Sequence, residues 1–159
     1  MATAPAFCDE VETQTEEIEL EHEHLRDEVD DLESALAVVD LDAEPLPELE
    51  GLEEANAIVH HLIQELPAHF MSEEARLQSM HKIDEPDAGS WTRSLQRQHD
   101  SIWRAVEDLA AELKKLRSSM ELTEDLERLH VHVEQLRHML ESHRVAEELC
   151  FHLVTRHAG

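Results

Sequence analysis

The chain has 159 residues, with 38 acidic against 13 basic side chains and a formal net charge of −25. That balance weighs against nucleic acid and anionic membrane as partners, since both need a basic footprint. Hydrophobic residues make up 41%, mostly Leu, Ala and Val, while 3% are aromatic and only three are Gly; this composition favours helices around one core over sheet.

In chain order, residues 1–13 read as a disordered acidic leader carrying Cys8. They lack the basic and apolar regions of an export signal, and no run approaches the eighteen or so apolar residues of a membrane span, so the cytoplasm is the expected location. A helix is predicted over about 14–39, with Ile18, Leu25, Val29, Leu32 and Leu36 on one face. The segment DLDAEPLPELEG, 40–51, breaks it.

A second helix is expected over 53–82, with Ala55, Ile58, Leu62, Leu66 and Met80 on its face. Pro67 removes one backbone donor there, which predicts a local kink without a break because the stripe keeps its phase. After the turn-rich DEPDAGS, 84–90, a third helix over 91–117 presents Leu95, Ile102, Val106, Leu109, Leu113 and Leu116. RSSMELT, 117–123, supplies N-cap residue types to a fourth over 123–156, with Leu129, Val133, Leu136, Leu140 and Val154.

Each face is one apolar stripe opposite charged residues. Short connections make consecutive helices antiparallel neighbours, so the prediction is an all-α, up-down-up-down four-helix bundle over 14–156. Cys8 and Cys150 do not form a disulfide framework; Cys150, near the fourth stripe, is expected to be a buried apolar residue.

Thirteen histidines are the anomaly. Six of them have Glu four residues on: His24, His61, His69, His81, His130 and His143. Glu is about one residue in six, so chance would supply about two. An i, i+4 pair shares one helix face, and its ordinary role is a solvated ion pair. Helical phase separates the six.

At 100° per residue, His69 and Glu73 fall within roughly 20° of Leu62, and His143 and Glu147 within roughly 20° of Leu136. His60, His61, His130 and His138 lie about 100–160° from their stripes and belong to solvent. His132 is about 40° off its stripe and reads as a polar residue at the end of the core. His99 is followed at +3, +7, +10 and +14 by Ile102, Val106, Leu109 and Leu113, and His22 at the same offsets by Leu25, Val29, Leu32 and Leu36. His22 therefore faces inward in preference to His24, although His24 gives a histidine spacing closer to that of the second half.

The result is an internal duplication: His22, His69 and Glu73, then His99, His143 and Glu147. Burying two ionised carboxylates without partners costs several kcal/mol each. Protonation, or pairing with the four imidazoles, is one solution. Two cations bridged by the glutamates are a better one, because imidazole nitrogen and carboxylate oxygen both bind them. Mixed nitrogen and oxygen donors without Cys suit iron, manganese or zinc. Glu74 and Glu148 point off the core axis and are read as solvated or as supports for the ligands.

The order His22…His69-x-x-x-Glu73…His99…His143-x-x-x-Glu147, with its doubled HFMSEE and HRVAEE segments, resembles the haemerythrin-like, or HHE cation-binding, family. The set of four histidines and two glutamates is most similar to that of the repair-of-iron-centres proteins, whose separate cysteine-bearing N-terminal domain has no counterpart here. Oxygen-carrying haemerythrins resemble the chain less, since Trp103 follows His99 at i+4 and the last bridge is Glu147. The resemblance implies two iron ions in a four-helix bundle, bridged by both glutamates and an oxo or hydroxo group. It also implies a small ligand: O2, nitric oxide or peroxide. Three functions follow as expectations: binding or sensing that ligand, catalase-like breakdown of peroxide, or metal storage in a structural bundle.

Overall fold

A computed structural model describes residues 4–39, 49–80, 88–116, 118 and 122–157. Four helices account for nearly all of it: α1 (Ala4–Ala37), α2 (Leu49–Met80), α3 (Ala88–Leu116) and α4 (Leu122–His157). The fold is an all-α four-helix bundle. Each helix packs on its neighbours in sequence, and α4 closes the ring against α1.

The packing face of every helix advances by steps of three and four residues, alternating throughout α1 and α3. The seam of α1 runs through the buried Ile18, His22, Leu25, Val29, Leu32 and Leu36 and continues to Val39 just past the helix end; in α3 it runs through Leu95, His99, Ile102, Val106, Leu109, Leu113 and Leu116. Alternating three- and four-residue steps keep one seam facing the bundle axis. The histidines are thus not interruptions of the pattern but occupy its core positions. In α2 the seam runs through Leu52, Ala55, Val59, Leu62, Leu66, His69, Glu73 and Leu77. Ile58, expected on this face, is half-buried at its edge, as is Leu140 in α4.

Several helices begin before the sequence predicts. The helical backbone starts at Ala4, so residues 4–13, expected as a disordered leader, extend α1. Pro5 falls in the first turn, where a missing N–H costs nothing. In α2, Leu49, Glu50 and Gly51 are helical although they belong to the expected break. Gly51 serves close approach: a Cβ there would lie 2.7 Å from the Ala35 carbonyl oxygen and 3.2 Å from the methyls of Val38 and Val39. Ala88, Gly89 and Ser90 likewise open α3, not a turn. Helix α2 runs through Pro67 unbroken. In the third expected break Ser118 is a turn residue, its N–H donating to the Lys115 carbonyl, and Leu122 and Thr123 already belong to α4. Residues 40–48, 84–87, 117 and 119–121, the side chains of Cys8, Met80 and Val154, and His81 lie outside the described residues.

Charges complement the helix ends: Lys114 and Lys115 sit in the last turn of α3, Glu124 and Asp125 in the first turn of α4. Among the described residues no helix is long and apolar enough to cross a membrane.

Candidate metal centre

Among the described residues the buried polar or charged side chains are His22, His69, Glu73, His99, His143 and Glu147. The other buried residues form two apolar clusters. The larger contains Leu25, Leu66, Phe70, Ile102 and Leu136; the smaller contains Ile18, Leu77, Leu95, Cys150 and Phe151. In α1 and α3 the chain passes from the smaller cluster through a histidine to the larger one, and in α2 and α4 it runs the other way. The helices therefore alternate in direction, and the six polar groups form one layer across the bundle between two apolar layers. Cys150 is buried as expected, and burial pushes its thiol pKa up, with Glu147 adding to the effect.

All four imidazoles direct Nε2 at Glu73. His69 Nε2 and His22 Nε2 lie 2.6 and 3.2 Å from its Oε1; His99 Nε2 and His143 Nε2 lie 2.8 and 3.0 Å from its Oε2. One oxygen faces the histidines of α1 and α2, the other those of α3 and α4. Glu147 also spans the pairs, its Oε2 being 3.0 Å from His22 Nε2 and 4.0 Å from His143 Nε2. One donor atom each from His22, His69, Glu73 and His143 lies within 4.8 Å of the others.

The outer nitrogens are held too. His69 Nδ1 donates to Glu21 Oε2 at 2.7 Å, His99 Nδ1 to Glu74 Oε1 at 3.1 Å, and His143 Nδ1 to Gln98 Oε1 at 3.0 Å. Arg76 approaches Glu21, and Gln96 donates to Glu74. Such outward bonds fix ring orientation and leave an Nε2 lone pair pointing in. Of the two roles expected for Glu74, solvated or supporting, the structure shows the support; Glu21 and Gln98 were not expected in either. Each precedes an inward histidine, His22 or His99, with the same 77-residue step, a signal visible once the duplication is recognised. Phe70, also not anticipated, stacks on His99 with ring centroids 4.1 Å apart.

The two-fold pattern fails at His22. By symmetry with Glu74, Glu148 would serve His22; it is paired with Arg144 instead, and His22 Nδ1 is buried without a hydrogen-bond partner.

These contacts test whether cations fit. Three rings give their Nδ1 proton outward, so in the neutral form Nε2 meets a carboxylate lone pair to lone pair at 2.6–3.0 Å. Such contacts are repulsive unless positive charge lies between them. His69 Nε2 and both Glu147 oxygens are buried without a hydrogen bond of acceptable geometry, despite their close neighbours. Donors that are near one another yet misaligned for hydrogen bonding suit a shared cation. The residues fit.

Protons alone divide the charge unequally. Burial pushes Glu73 up, but the close imidazoles of His143, His22, His69 and His99 outweigh it and hold Glu73 far below the carboxylate range. Burial raises Glu147 to about 7, the nearby His22 ring only partly opposing it. Burial lowers His22, yet the nearby carboxylates of Glu147 and Glu73 bring it to about 9. His143 is depressed, burial outweighing Glu73. Duplicated carboxylates and imidazoles thus become inequivalent when protons balance them.

The other histidines follow their helical phase in most cases. His24, His60, His61 and His138 are exposed, and His132 is half-buried. His130, expected in solvent, is half-buried.

The chain matches the sequence model of the Hemerythrin HHE cation binding domain over residues 13–154, and it belongs to that family: a haemerythrin-like metal-binding domain. No curated protein and no solved structure matches it.

Proposed function

We propose that the buried layer holds two iron ions and that the protein binds or senses O2, nitric oxide or peroxide there. The observation carrying this reading is the division of Glu73, with Oε1 toward His22 and His69 and Oε2 toward His99 and His143. A carboxylate whose oxygens serve separate imidazole pairs suits two bridged cations better than one. Glu147 would be the second bridge. Nitrogen and oxygen donors without thiolate suit iron, the usual metal of the family, and the set resembles that of repair-of-iron-centres proteins. When bound, the iron pair supplies an open coordination position and reversible redox chemistry.

The chain's own residues position the donors and control access. Glu21, Glu74 and Gln98 hold three rings in one tautomer. The apolar layers on either side keep bulk water from the carboxylates, which strengthens every electrostatic contact among them. A cavity of about 690 Å³ between α1 and α4 reaches His22, with Leu25, Val29 and Leu140 on its apolar side and Arg26, Arg137 and Arg144 among its polar lining. It is a route for a small ligand.

The test is metal analysis with optical spectroscopy of protein purified in air. Two irons per chain, with near-ultraviolet charge-transfer absorption that shifts with azide or nitric oxide, are expected. Colourless protein holding two zinc ions would favour the structural reading. Rapid gas evolution from peroxide, lost in Glu73→Ala, would make the protein an enzyme.

A further inference from the structure

Two of the six His-x-x-x-Glu segments build the buried layer. Two more, His24…Glu28 on α1 and His61…Glu65 on α2, meet on the surface of the first helix pair. One donor atom from each of these four residues lies within 4.8 Å of the other three. His24 Nε2 is 3.2 Å from Glu65 Oε2, and His61 Nε2 is 3.3 Å from Glu65 Oε1. His61 Nδ1 contacts Glu28 on its other side. The His24 and His61 rings stand edge to face, with centroids 6.2 Å apart. Although the cluster is open to solvent, the Glu28 side chain is only 12% exposed, and its Oε2 is buried without a hydrogen-bond partner.

We infer that His24, Glu28, His61 and Glu65 form a second metal site, for one divalent transition-metal ion of the zinc class. Ligands about 2.0–2.1 Å from tetrahedral zinc are separated by roughly 3.3 Å, the spacing of His24 and His61 from Glu65. Two neutral imidazoles and two carboxylates are a four-donor set of charge −2, which a dication neutralises. A protonated His61 in a surface ion pair would account for two of the contacts, but it gives no role to His24 or to the unpartnered oxygen of Glu28. The site lies eight residues, about 12 Å, from His69 along α2. It shares no ligand with the buried layer and stands whether or not that layer holds iron. Bound metal would tie α1 to α2 on their outer face.

The experiment is zinc chloride titration of the full chain with its resident metal in place. Zinc and resident metal are measured together after gel filtration. Wild type is expected to bind one zinc more than the His24→Ala/His61→Ala double variant, with equal resident metal in both; His60→Ala, on the same helix, keeps that zinc. Cobalt(II) in place of zinc should give the strong visible absorption of a four-coordinate ion, abolished in the double variant. Equal zinc in wild type and double variant overturns the inference. Because the readout is the difference between the two proteins, loss or absence of metal in the buried layer is recorded separately.

Discussion

The buried layer and the surface cluster of α1 and α2 are made from the same segment, a histidine and a glutamate four apart, yet they differ in nearly every physical respect. In the layer, Glu73 and Glu147 are fully buried, and four imidazoles close on one carboxylate. In the surface cluster, His24 and His61 are about half exposed, and water shares their solvation. Spacing brings the donors together in both places. Phase against the apolar stripe decides which pair leaves water, and burial decides how strongly positive charge is required. Unpaired charge in the interior costs several kcal/mol, whereas an exposed ion pair contributes little.

The sharpest way to break the comparison is to remove one member of the buried layer. His143→Ala should strip metal from the protein and destabilise it by about 3–5 kcal/mol, the range for breaking a buried charged pair. His138→Ala, on the same helix but exposed, should change neither metal content nor melting temperature. Equal effects would contradict the assignment by phase.

Next in size is a change remote from both clusters. Gly51→Ala drives a methyl against the Ala35 carbonyl, and overpacking of this kind costs about 1–3 kcal/mol. Thermal melts should show the same loss in loaded and metal-free protein; a loss seen only in one would tie this contact to the metal.

A subtler change tests the outward hydrogen bonds. Glu74→Ala frees His99 Nδ1 and should weaken metal binding about 10–100-fold with little change in fold, read by competition with a chelator. The smallest effect is expected at His24, two residues from the buried His22 on α1. His22→Ala should lower resident metal, whereas His24→Ala should leave it intact and reduce only the additional zinc; the reverse would exchange their roles.

Much of this was legible in the sequence because heptad periodicity carries direction as well as helix content. The offsets after His22 and His99 place both among leucines and valines that are buried, so the inward histidines could be named without coordinates. Helix ends were less legible. Gly51 has the composition of a turn, and only the nearness of Ala35 shows that α2 needs a glycine inside its first turns. Glu21 and Gln98 were hidden for another reason: in a chain so rich in Glu, a residue beside a ligand carries no signal until the partner helix is in place. The pairing of Glu148 with Arg144 could not be foreseen, because symmetry assigns Glu148 to His22.

X-ray absorption spectroscopy with elemental analysis of the purified protein tests the central claim most directly, namely that Glu73 bridges two cations in the buried layer. Two metal ions per chain, about 3.5–4 Å apart, with imidazole nitrogen and carboxylate oxygen around each, are predicted, and the metal–metal signal should vanish in Glu73→Gln. A single isolated metal, or two that persist unchanged in that variant, would contradict it.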